Sequence, residues 1–361
     1  MTYNRTGVAY LPLHGGKAPR WLFERMSKLA REVSIVIVEE YGPDEMLRKM
    51  SDPFWFQAFG CALGFDWNSS GLTTTVCGAL KDGVRDIQKQ LGVFVAGGKG
   101  NTSRQTPKEI QSFAHLVRDG ASSLEYDSRM VAKVDSSALQ DGYQLYHHVF
   151  LFTAAGRWAV VQQGMNSDTR YARRYHWLGE TVSDFVCEPH AAICTQQRGE
   201  ALNLVAVEST EARNTMTRIA SEEKPEKTLM DLKKLSTLSL PRRHHIVAQD
   251  IHPERLSKAI LSTYERSPSG FEDLLGLPGV GPKTIRALSL LSELIHGVPP
   301  SFTDPARFSF AHGGKDGYPY PVDRGAYDKS IELLRKAVSR ARIEGTEKRK
   351  AIHRLDDRYL R

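Results

Sequence analysis

The string FEDLLGLPGVGPKTIRALSLLSELI, residues 271–295, constrains the fold more than any other part of the chain. Leu277-Pro278-Gly279-Val280-Gly281 interrupts two helical patterns, so a tight turn joins two helices. Leu274, Leu275, Val280, Ile285, Leu288, Leu291 and Ile295 would lock that hairpin together. Gly279 and Gly281 admit backbone angles barred to other residues and let an anion approach the main chain. Pro282 suits the first position of a helix, whose free N–H groups and dipole attract an anion. Lys283 and Arg286 add positive charge at that point, so the turn is suited to a phosphate. The plainer alternative is a glycine-rich loop between packed helices.

Helical patterns continue around the hairpin at Thr228 to Leu238, Pro253 to Tyr264, Gly270 to Leu275, Pro282 to Ile295 and Asp328 to Val338. Upstream the signals mix. Pro19 to Glu32 reads as a helix leading into the β-branched run Ser34 to Val38, expected as a buried strand. YQLYHHVFLFTAAGRWAVVQQG reads as two strands around Ala-Ala-Gly, and Leu202 to Val207 as another. The polar SEEKPEK at 221–227 is the linker candidate. The expected class is therefore α+β. A mixed α/β lobe and a β-rich middle lobe over 1–220, with a possible split near 120, would precede an all-helical domain over 228–361.

With 361 residues and 40% hydrophobic content the chain can bury real cores. Its net charge of +7 suits a polyanionic partner without naming one. Ten Lys/Arg against four Asp/Glu from Arg335 to Arg361 place most of that excess beside the hairpin, unless the run is simply a solvated helix face. No stretch has the length of a membrane span and no signal peptide opens the chain, so a cytoplasmic protein is expected. Four cysteines are too few for a disulfide scaffold, although Cys187, His190 and Cys194 in CEPHAAIC are close enough in sequence to share a metal.

The hairpin string resembles the helix-hairpin-helix of DNA repair and DNA-processing proteins, which implies sequence-independent binding of the DNA backbone. It is also similar to that of endonuclease III type DNA glycosylases. There LPGVG is followed by a Lys-Thr pair, matched here by Lys283-Thr284, and later by Val-Asp at a helix start, matched by Val322-Asp323. The resemblance implies Lys283 as Schiff-base nucleophile at the sugar and Asp323 as its supporting carboxylate. The tail lacks that family's cluster cysteines, so no iron–sulfur cluster is expected. Lys283 as a phosphate contact and Asp323 as a helix cap are the plainer roles. Across most of its length the chain resembles the archaeal and bacterial domain of unknown function 763, through LHGG, WFQAFG, GFDWNSSGLTTT, GGKG, WAVVQQGMN and ARRYHW. That likeness supplies no activity.

Polar residues crowd these segments: His14, Asp66, Lys99, Asp135, His147, His148, Gln162, Gln163, His176, His190, Glu208, His244 and His245. A metal-assisted nuclease needs carboxylates or histidines around Mg²⁺ or Mn²⁺. The catalytic candidates are His14, Asp66, Asp135 and His148, with Asp66, Asp135 and His148 as metal ligands. His147 and His148 are adjacent on a strand pattern, so they should face opposite ways. DTRYARRYHW alternates cations and rings, which makes Arg173 and Arg174 DNA-contact candidates with Gly279, Gly281, Lys283, Thr284 and Arg286; a surface helix is the alternative. GGKG lacks the rest of a phosphate-loop motif, so no ATP site is expected. Three functions compete: a metal-dependent DNA nuclease, a glycosylase or abasic-site lyase using Lys283 and Asp323, and a non-catalytic DNA-binding adaptor.

Overall fold

The computed structural model describes residues 18–65, 71–118, 121–195, 198–236, 252–307 and 324–359. Its first elements are helices. α1 (Arg20–Tyr41) buries Met26, Leu29, Ala30, Val33 and Ile37, and this three- and four-residue spacing passes straight through Ser34 to Val38. The strand expected there is therefore helix. Five β-branched and small residues are too few to fix a period, and the longer pattern around them prevails. Gly42, at φ +85°, ends α1, and Pro43 opens α2 (Pro43–Ser51). Asp52 caps α3 (Pro53–Leu63), its carboxylate accepting from the N–H of Phe54 at 2.8 Å and of Trp55 at 3.2 Å. Such a cap contributes about 1 kcal/mol. α4 (Gly71–Val84) and the short α5 (Gln88–Leu91) lead into the first strand.

The strands are β1 (Val93–Lys99), β2 (Leu139–Gln140), β3 (Gln144–Thr153), β4 (Trp158–Met165), β5 (Ala172–Leu178), β6 (Ala192–Cys194), β7 (Glu200–Asn203) and β8 (Ser301–Thr303). Between β1 and β2 come α6 (Thr106–Ser112), α7 (Ser122–Lys133) and a π turn at Val134–Ala138. The first sheet is antiparallel in the order β1-β3-β4-β5-β6, and a small second sheet runs β2-β7-β8. The expected hairpin is present as β3 and β4, joined through Ala154-Ala155-Gly156.

Helices follow as α8 (Thr210–Glu222), α9 (Pro225–Ser236), α10 (Pro253–Arg266), α11 (Phe271–Gly276), α12 (Pro282–Leu294), α13 (Arg324–Arg340) and α14 (Gly345–Tyr359). Both faces of the five-stranded sheet are covered. Phe94, Phe150, Phe152, Val160 and Trp177 point into a core shared with α7, α8, α11 and α12. Val95, Val149, Leu151 and Val161 point into a second core with α1 to α4 and with Leu334, Val338 and Leu355 of α13 and α14. Each fully buried large side chain contributes about 1.5–3 kcal/mol to these layers. Two-sided burial explains why FLFTAAGRWAVV is almost continuously apolar.

The α+β class holds, but the chain divides differently from the linear scheme. Residues 221–227 end α8 and begin α9 inside one continuous core running from Phe94 to Ala306, so they do not separate two cores. The helix pair of 324–359 packs on the N-terminal helices, away from the hairpin's core. No helix among the described residues is long and apolar enough to cross a membrane.

Candidate functional site

The registers of the five strands set one transverse row of polar residues across the sheet. Lys99 pairs with His147, His147 with Gln163, Gln163 with Arg174, and Arg174 with Cys194. The next row is Gly98, His148, Gln162, Tyr175 and Ile193. Neighbouring rows face opposite layers because strand side chains alternate. The two histidines thus point to opposite sides, as their adjacency implied. The β1 end of the rows is fixed by Gly97, at φ +90°, whose N–H donates to Glu109 at 2.7 Å and whose carbonyl accepts from Lys81 at 2.7 Å. A Cβ on Gly97 would stand 2.2 Å from the His148 carbonyl oxygen.

On the face toward α7, the hydrogen bonds form a directed chain. The Ser128 hydroxyl donates to His148 Nε2 at 2.9 Å, and His148 Nδ1–H donates to the Gln162 amide oxygen at 2.7 Å. Gln162 then donates to Asp135 at 2.6 Å. Asp135, in the π turn, also accepts from Trp177 Nε1 at 2.9 Å and His190 Nε2 at 2.5 Å. Burial pushes the His148 imidazole below its ordinary pKa, against the pull of Gln162 and Asp135. Of the expected metal ligands, Asp135 is committed to three donors and both His148 nitrogens are bonded, so these two belong to a closed hydrogen-bond network. Nearby, Arg173 bonds Asp141 at 2.8 Å and Asp304 at 2.6 Å, while Tyr175 donates to Asp141 at 2.7 Å.

On the opposite face Arg174 is gripped by Gln57 of α3 at 3.2 Å and donates through Nε to His176 Nε2 at 2.8 Å. Its guanidinium lies 4.6 Å from the Phe56 ring centre. His176 Nδ1–H donates to the Met50 carbonyl at 3.0 Å. Burial pushes the thiols of Cys77 and Cys194 up to about 12 and about 11, partly opposed by Arg174. Arg173 and Arg174 are 1% and 2% exposed, on strand β5, which removes both from the expected DNA-contact surface. In the same row His147 is 2% exposed and neither ring nitrogen has a hydrogen-bond partner.

The hairpin between α11 and α12 forms as its sequence implies. Gly279 sits at φ +85°, and a Cβ on Gly279 or Gly281 would meet nothing within 4 Å. Pro278, Gly279, Pro282 and Lys283 are exposed, Arg286 is half-buried, and Thr284 is buried in the helix packing. Leu274, Leu275, Val280, Ile285, Leu288 and Leu291 are buried, whereas Ile295 is exposed. Lys133 donates to the Val280 carbonyl and Gln140 to the Pro282 carbonyl at 3.0 Å. These two residues bracket the π turn that carries Asp135, so one short segment anchors both the hairpin and the buried network.

His14, Asp66, His244, His245 and Asp323 lie outside the described residues. His190 bonds Asp135 while Cys194 stands beside Arg174 on the opposite face, so the CEPHAAIC trio does not converge. Among the described residues no group of three metal-ligating side chains occurs. Glu208 is exposed in a separate 3-10 turn, Val207–Ser209. Sequence reasoning missed Gln57 and Ser128. A polar residue inside apolar FWFQAFG was a usable signal for the first, while nothing local marks the second.

A family model described as a protein of unknown function matches residues 7–322. No curated protein and no solved structure matches the chain.

Proposed function

The chain belongs to the DUF763 family, whose description names no activity, and we propose from its own residues that it binds the phosphate backbone of DNA in repair or processing. The hairpin acts as a helix-hairpin-helix. The observation that carries this reading is the hairpin tip, exposed at Pro278, Gly279, Pro282 and Lys283, with left-handed Gly279 and open space where Gly279 and Gly281 lack Cβ atoms. Gly281 has no side chain with which to cap α12, and Pro282 brings no N–H. A phosphate at the tip meets first-turn amides, the helix dipole and the Lys283 ammonium.

Binding of this kind neutralises phosphates without reading bases, so affinity falls steeply with salt and varies little with sequence. The test is a titration of duplexes of one shape and different sequence across salt concentrations. Salt-insensitive affinity, or strong discrimination among those duplexes, would overturn the proposal.

Processing chemistry within this reading is phosphodiester cleavage aided by Mg²⁺ or Mn²⁺. The described residues do not fit such a metal, since Asp135 and His148 are spent on each other's network, so no metal-dependent step is assigned to them. His14 and Asp66 are its remaining candidates. Incubation with plasmid, single-stranded and flapped DNA, with either metal or with chelator, reads this out directly. Absence of turnover on every DNA leaves a binding adaptor. A glycosylase or lyase reading rests on exposed Lys283 at the start of α12; borohydride trapping on abasic DNA that disappears in Lys283→Gln would establish it.

A further inference from the structure

We propose that the row Lys99–His147–Gln163 is a second phosphate site, distinct from the hairpin, that takes a terminal phosphate group. His147 carries the argument. It is 2% exposed, and neither ring nitrogen has a hydrogen-bond partner. Buried polar groups are nearly always bonded, so such a group needs an explanation. His148, one residue on, is bonded at both nitrogens, and His176 on the same face as His147 is too. Only His147 of these three holds hydrogen-bonding capacity in reserve.

The surroundings select an anion. Lys99, an exposed residue, stands directly across from His147 on β1 with its ammonium 5.8 Å from the Tyr146 ring centre, and Gln163 stands across on β4 with an amide donating to the Tyr146 hydroxyl. Arg174 continues the row one strand further on, so cations lie on both sides of the histidine. Burial first, then the neighbouring His148 and Lys99, hold the imidazole down to about 3, leaving it neutral near pH 7. The same positive surroundings attract an oxyanion and repel a metal ion. Beyond Lys99 the backbone turns out at Gly100, φ +62°, where nothing lies within 4 Å of a notional Cβ, so this edge of the row is the open one.

Depth selects the kind of phosphate. An internal phosphodiester of a duplex cannot reach a side chain that is almost fully covered. A phosphomonoester at a strand end or on a free nucleotide projects three oxygens clear of its single ester link and reaches further. Lys99 supplies the counter-charge, and the His147 N–H supplies the donor. The strand-end source rests on the DNA-binding reading above; the free-nucleotide source does not.

The experiment titrates inorganic phosphate into the full chain while the ring nitrogens of His147 are followed by nitrogen-detected NMR. Both should shift, with saturation. His147→Phe should weaken phosphate by about tenfold or more without lowering thermal stability, because an apolar ring of similar shape removes an unsatisfied group. Should that variant fail to fold, Lys99→Gln, on an exposed side chain, must weaken phosphate in its place. Unmoved His147 nitrogens, or full affinity in Lys99→Gln, would overturn the proposal. A 5′-phosphorylated strand outcompeting its 5′-hydroxyl twin identifies a strand end, whereas equal competition by a deoxynucleoside monophosphate identifies a free nucleotide. Gly281→Val separates the two sites: it should lose duplex binding and keep the phosphate response.

Discussion

His147, His148 and His176 are held neutral by burial, each below its ordinary value of 6.5. The unfolded chain therefore binds protons that the folded chain refuses. Stability is complete above about pH 6.5 and falls as pH drops, in the case of His147 down to about 3. For His147 alone the loss at pH 5 is about 2 kcal/mol. Urea unfolding at pH 7 and pH 5 should show it, and His147→Phe should reduce the difference between the two. Asp135→Ala should cost about 3–5 kcal/mol, since Gln162, Trp177 and His190 would each lose an acceptor in the interior. The sequence pointed to Asp135 and His148 as chemically unusual. It could not say whether a metal or neighbouring donors filled their lone pairs, because Trp177 and His190 arrive from 42 and 55 residues away.

Among the elements, the hairpin was the most legible, since its glycines, proline and apolar spacing are local properties. The two glycines nevertheless differ. Gly279 holds a left-handed conformation that costs any other residue about 1–3 kcal/mol. Gly281, at φ −143°, is in extended backbone open to every residue. Gly281→Ala should therefore leave stability unchanged within about 0.5 kcal/mol, and Gly281→Val should fold yet bind DNA more weakly. Full affinity in Gly281→Val, measured by fluorescence anisotropy, would remove the hairpin as the binding element. β5 was the least legible. ARRYHW looks amphipathic and basic, but its arginines are buried because Asp141, Asp304 and Gln57 come from other elements to meet them. Helix α1 was misread for a related reason: packing against α4 decided between two periods that a short run could not distinguish.

For the molecule as a whole, the two helical layers on one sheet could not be read from a linear list of elements, because the N-terminal layer is completed from the other end of the chain. Arg342 donates its N–H to Glu32, and Arg354 donates to the Ala62 carbonyl at 3.0 Å. Leu334→Ala should destabilise that layer by about 2–5 kcal/mol while leaving hairpin contacts in place, a split that hydrogen exchange can locate. The same closure has a kinetic consequence. Contacts spanning 310 and 292 residues form only after a very large loop has closed. On the ribosome, α1 to α4 must wait with an apolar face uncovered until the last helices emerge. Refolding should then show a late phase reporting on α1 and α3, and synthesis arrested before residue 324 should leave a species prone to aggregate.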